Sequence, residues 1–175
     1  MMTDTTVTFR QLVLTDAPQF RALRLAALRD HPECFGAPHD EEEAQGVALF
    51  ERRIAGFQDG DAAFGAFRGA NMIGIAAMFR AASGTMRHRG TLWGVYVVPE
   101  LRGTDAAERL IAAVIEHARK HVDVLTGLVT CGNDRARAFY ARLGFDFSGI
   151  ERKILKVDGR WHDQEILVLD LTDAA

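Results

Sequence analysis

A chain of 175 residues, 48% hydrophobic and 26% charged, has the composition of one ordinary globular domain and enough length to bury a core. Its net charge of −3 offers no electrostatic case for nucleic acid, and no apolar run nears the ~20 residues that span a membrane. MMTDTTVTFR lacks the basic-then-apolar layout of a secretory signal, and Cys34 and Cys131 read as reduced thiols rather than a disulfide or metal site, so the expected location is cytoplasmic.

Val7–Leu14 reads as a first strand, with Thr15 as the N-cap of a helix whose first turn tolerates Pro18. Phe20, Leu23, Ala27 and Leu28 give that helix its apolar stripe, and it stops before Pro32. Asp40 and Glu43 resemble a capping box for a second helix carrying Val47, Phe50 and Ile54. Ala62–Arg68 and Met72–Arg80 read as two strands of a hairpin around Gly69-Ala70-Asn71. Val95–Val98, bounded by Gly94 and Pro99, suits a buried strand. From Asp105 to His121 the pattern becomes helical, with Leu110, Ile111, Val114, Ile115 and Ala118 on one face. Asp123–Thr130 is a strand, Asn133–Leu143 a helix stopped by Gly144, and Phe145–Val157 and Trp161–Leu171 a hairpin around Asp158-Gly159.

The order β-α-α-β-β-β-α-β-α-β-β predicts a single domain over 1–175 of α/β (α+β) class. Its central mixed sheet should have about seven strands, with four helices. The helix from Asp105 is a crossover, so the strands flanking it should be parallel. A strand feeding a helix through the short loop at Arg102-Gly103-Thr104 also aims backbone N–H groups and the helix dipole at one point, an anion site.

Three features resemble the GNAT acyltransferases: this element order, the run Val95-Tyr96-Val97-Val98-Pro99-Glu100-Leu101-Arg102-Gly103, and Asn133-Asp134-Arg135-Ala136-Arg137-Ala138-Phe139-Tyr140-Ala141-Arg142-Leu143-Gly144-Phe145. The last fills every fixed position of the family's N-x-x-A-x-x-F-Y-x-x-L-G-F segment. The resemblance implies the GNAT fold and acetyl transfer from acetyl-CoA to a primary amine by direct attack, without a metal. It implies that Val95, Tyr96 and Val97 pair with the pantetheine arm by strand addition. Arg102, Gly103, Thr104, Asp105, Ala106 and Ala107 would hold the pyrophosphate, and Asn133 the pantetheine or phosphate end. Tyr140 would protonate the departing CoA thiolate as general acid. The expected partners are acetyl-CoA and a small-molecule or peptide amine, with a homodimer possible.

Asp105 departs from the family, standing where the phosphate loop has a glycine. A Cβ obstructs close approach to phosphate, and a carboxylate ~5 Å from a phosphate charge is repelled by about 3.3 kcal/mol at an effective dielectric of 20. The alternative function is therefore a binding module or degenerate member with weakened CoA binding. Asp105 with Glu108 also spells D-x-x-E, a capping box for the following helix. On the acceptor side, Leu23–Glu43 should line the cleft, and the 156–163 hairpin is a further likeness to small GNAT enzymes. Glu41, Glu42 and Glu43 read either as counter-charge for a cationic acceptor or as a helix start. His88 is the titratable residue nearest the central strand, and no general base is named.

Overall fold

A computed structural model describes residues 6–172. The strands are β1 (Val7–Gln11), β2 (Ala62–Arg68), β3 (Asn71–Arg80), β4 (Arg89–Val97), β5 (Val124–Thr130), β6 (Asp146–Val157) and β7 (Arg160–Asp170). They form one sheet in the order β1-β2-β3-β4-β5-β7-β6. All neighbours are antiparallel except β4 and β5, the parallel pair that the crossover predicted. The helices are α1 (Ala17–Asp30), α2 (His39–Ala44), α3 (Gly46–Ala55), α4 (Ala106–Ala118) and α5 (Asp134–Arg142). Four are long and α2 has only six residues. No described helix is long and apolar enough to cross a membrane.

Both faces of the sheet are covered at β3, which is why that strand is apolar at nearly every position. On one face α4 buries Leu110, Ile111 and Val114 completely against Met78, Leu92 and Leu125. On the other, α1 and α3 bring Phe20 and Phe50 edge to face, 5.2 Å apart, over Phe67, Ile75 and Ala77. Each such side chain contributes roughly 1.5–3 kcal/mol of burial.

Several boundaries differ from the sequence expectation for local reasons. β1 ends at Gln11, because Leu14–Asp16 is a 3₁₀ turn and α1 starts after Asp16, not Thr15. Asp16 does not cap α1; its carboxylate accepts from Arg10 (2.7 and 2.9 Å) and from the Val13 N–H. The second predicted helix breaks in two at Gly46, whose φ of +65° turns the chain through the left-handed region. The Asp40–Glu43 capping box does not form, since Pro38 is the N-cap residue of α2 and no side chain caps it. The central strand is nine residues long and contains Gly94, which therefore interrupts the strand rather than starting it. The Asp158-Gly159 hairpin forms with positive φ at both residues (+48° and +77°), as a two-residue turn of that composition requires.

Candidate active site

β4 and β5 pair only at Arg89, Gly90 and Thr91 against Val124, Leu125 and Thr126. Beyond Thr91 the two strands part. Gly94 lies where the β3–β4 register shifts, between Trp93 opposite Ala77 and Tyr96 opposite Ile75, and its φ is +66°. This bulge bends β4 while leaving it attached to β3. The Val98 N–H donates to Ile73 on the β3 side. Peptide groups alternate along a strand, so those of Val97 and Val95 face the opened gap.

Two cavities meet at that gap. The smaller, of about 360 Å³, lies between β4, β5 and the chain following α1. The larger, of about 740 Å³, runs from the end of β4 past the loop before α4 to α5. Both are bordered by His31, Val95, Tyr96, Asn133, Ala136 and Tyr140.

Tyr140 is held by α5. Its ring packs at 5.2 Å from Phe139 and 5.5 Å from Phe145, behind the stop that Gly144 makes at φ +89°. Its hydroxyl bonds to no described residue and keeps solvent contact, although the ring is buried. Burial pushes the phenol up from its ordinary value, and the neighbouring Cys34 thiol adds to that. The Tyr140 hydroxyl therefore carries its proton throughout the neutral range. Asn133 is the N-cap of α5, its Oδ1 accepting from the Ala136 N–H at 3.1 Å. Its side chain also interacts with the Cys34 thiol, and the residue borders both cavities.

In the loop before α4, the residue with left-handed backbone is Gly103, at φ +91°. Asp105 has an ordinary φ of −76°, so its backbone does not need glycine. Its side chain is 73% exposed and lies 3.9 Å from Arg109. The Asp105–Glu108 capping box does not form: Asp105 makes no cap bond, and Thr104 Oγ1 takes the Ala106 N–H instead. No described residue accepts from the N–H groups of Gly103, Asp105, Ala107 or Glu108. Four donors at a helix N-terminus thus stand open at the larger cavity, a fitting cradle for a pyrophosphate.

Of the predicted loop set, Ala106 does not face the cavity: its side chain is in the core and its N–H is taken. Arg102 points across the junction, with Nη2 3.1 Å from His31 Nε2. Tyr96 turns its side chain to the opposite face, donating to Asp30 Oδ2 at 3.1 Å, while its backbone remains on β4. His88 is exposed beyond the far end of β4 and borders neither cavity.

Within the acidic run, Glu41 and Glu43 are exposed and border neither cavity, and Glu42 has no counter-charge to spare for a cation. Glu42 is buried and accepts from Arg24 (3.2 and 3.3 Å) and Arg53 (3.2 and 2.8 Å). Two guanidiniums meet one carboxylate, so the cluster is net positive. Sequence reasoning placed Leu23–Glu43 beside the cleft but did not single out Arg24, Asp30, His31 or Cys34 from it. No helical spacing marked the pair Arg24 and His31, since Arg24 lies within α1 and His31 follows its last residue with non-helical backbone. Thr130 Oγ1, at the end of β5, donates to the Glu33 carbonyl at 2.8 Å and ties this segment to the gap.

The sequence profile described as the acetyltransferase (GNAT) family matches residues 13–145. Ribosomal-protein-alanine N-acetyltransferase from Brucella melitensis superposes with a TM-score of 0.78 at 25% identity, covering 93% of this chain and 99% of that one. A putative acetyltransferase from Acinetobacter baylyi ADP1 gives 0.81 at 20% identity, covering 97% and 94%. A putative acetyltransferase from Salmonella typhimurium, solved with its cofactor acetyl-CoA, gives 0.77 at 19% identity, covering 97% and 96%. No curated protein matches the chain in sequence. With three quarters of its length inside that profile, on a seven-stranded mixed sheet that these acetyltransferases share, the chain belongs to the GNAT acetyltransferase family.

Proposed function

We propose that the chain is an acetyl-CoA-dependent N-acetyltransferase with direct transfer to a primary amine. The observation that carries this reading is the meeting of the two cavities at the unpaired edge of β4, with the free Tyr140 hydroxyl at the junction. The larger cavity takes the cofactor and the smaller the acceptor. Acetyl-CoA supplies an acetyl group activated as a thioester. The N–H groups of Gly103, Asp105, Ala107 and Glu108 receive the phosphates, aided by the α4 dipole. Val95 and Val97 offer N–H and C=O groups to the pantetheine amides, as an added strand would use them. A β4 N–H at the gap also suits polarisation of the acyl carbonyl. Tyr140 holds a proton for the sulfur, and the Asn133 amide orients the arm beside it.

The exposure of the Asp105 side chain, 3.9 Å from Arg109, supports a working loop over a degenerate one. Calorimetry with acetyl-CoA, followed by assay of CoA thiol release with a panel of primary amines, tests the reading. Micromolar binding and amine-dependent thiol release are expected. An absence of binding at millimolar cofactor overturns it.

A further inference from the structure

We infer that the acceptor is a small amine bearing an anionic group, a carboxylate above all, which Arg24 binds at the α1 wall of the smaller cavity. The inference rests on the acetyltransferase reading for its amine but on separate residues for its anion.

Arg24 is a cation almost wholly withdrawn from water, its side chain 7% exposed. Nε and Nη2 fork onto Glu42. Nη1 donates to no described residue and keeps solvent contact, on a residue that borders the smaller cavity. Glu42 cannot be what this third nitrogen awaits. Each of its oxygens already accepts once from Arg24 and once from Arg53. Arg53 neutralises that carboxylate by itself, so the Arg24 charge is surplus. The planar guanidinium lies 4.9 Å from the Phe35 ring and 5.9 Å from the Trp93 ring, which fixes the direction of its remaining donor. A buried cation with an unused donor attracts an oxyanion and repels a polyamine.

Geometry sets the two ends of the ligand. Arg24 lies within α1 and His31 directly follows the helix's last residue, and His31 borders both cavities while Arg24 borders only the smaller. The anion therefore sits away from the Tyr140 junction and the amine toward it. At about 360 Å³ the cavity is at the small end of ligand sites, suited to an amino-acid-sized molecule rather than a polypeptide.

Straight-chain ω-amino acids of two to six carbons, each set against the n-alkylamine of equal length, read the anion's contribution and its distance together. At the best length the acid should exceed the alkylamine in kcat/KM by at least about tenfold, the factor equivalent to ~1.4 kcal/mol. In Arg24→Gln, which can still hydrogen-bond Glu42, that preference should fall below about threefold and the change should lie in KM. Alkylamines equal to the acids at every length, or a preference undiminished in a folded Arg24→Gln, overturn the inference. A second measurement needs neither turnover nor a variant. The N-acetyl derivatives of the same acids, titrated into the wild-type protein by NMR, should bind more tightly than the matching N-alkylacetamides. Equal binding overturns the anion site whether or not any amine is acetylated, whereas failure of thiol release with every amine counts against the acetyltransferase reading alone.

Discussion

Trp93 and Tyr96 are three residues apart on one strand, yet both pack toward the α1 face of the sheet. In a regular strand residues three apart face opposite sides. The extra residue at the Gly94 bulge restores them to the same face, and the same bend carries β4 away from β5. The sheet's opening and the wall of the smaller cavity thus have one local cause.

Gly94→Ala tests that cause. A Cβ there would meet nothing within 4 Å, so the cost is conformational and not steric. Holding alanine at φ +66° costs about 1–2 kcal/mol, visible as a lower urea midpoint. If the strand relieves the strain by losing its bulge, the gap narrows and acetyl-CoA affinity falls with stability. Unchanged stability and affinity together would show that the bulge does not depend on glycine.

Tyr140→Phe removes a hydroxyl that supports no packing and bonds to no described residue, so the fold should be retained. Loss of a general acid should lower kcat by about 100-fold or more, with acetyl-CoA binding kept. The pH profile gives a second reading. An acid must be protonated to act, and burial raises this phenol, so its alkaline limb lies above the ordinary tyrosine value near ~10. Wild-type kcat should hold level through pH 9.5. A decline centred between pH 8 and 9 would assign the proton to another group.

How much of this was legible in the sequence differs by residue. The α5 segment reads directly, because Ala136, Phe139, Tyr140 and Leu143 recur at one helical face and Gly144 stops the helix. The parallel pairing of β4 and β5 followed from the crossover between them. The Gly94 bulge was not legible, since a glycine at the edge of an apolar run reads equally as a boundary. Nor was the fate of Glu42. Three glutamates in a row look like a solvated helix start, and only the break at Gly46 lets α3 bring Arg53 to the middle one. Long-range partners of this kind, eighteen residues away for Arg24 and eleven for Arg53, leave no local pattern.

Asp105 shows how a departure from a family pattern can be silent. Its φ is ordinary, its carboxylate is in water beside Arg109, and the loop's strained position is filled by Gly103. Asp105→Gly should therefore change acetyl-CoA affinity by no more than about fivefold, the effect of an exposed charge at ~4 Å in water. The modest gain should shrink at 0.5 M salt, where such charges are screened. A gain of a hundredfold or more would mean that the carboxylate faces the phosphates after all.

Glu42 is a buried carboxylate between two guanidiniums, and its removal should be costly. It is 4% exposed, and it holds together two guanidiniums of which Arg53 is 26% exposed. Glu42→Gln leaves both cations facing each other without compensation, and losing one partner of a buried pair costs about 3 kcal/mol. The pH dependence carries a distinct signature. Burial pushes the carboxyl up, but the hydrogen bonds from Arg53 and Arg24 outweigh it and leave the group below its ordinary value. A lowered carboxyl stabilises the fold fully above the unfolded value near ~4.3 and loses that contribution as pH falls through the folded value. Urea midpoints measured from pH 6 down to pH 3 should therefore drop more steeply for the wild type than for Glu42→Gln. Parallel slopes would place the acid sensitivity elsewhere, with Asp16, held below its ordinary value by the Arg10 hydrogen bonds, as the next carboxylate to substitute.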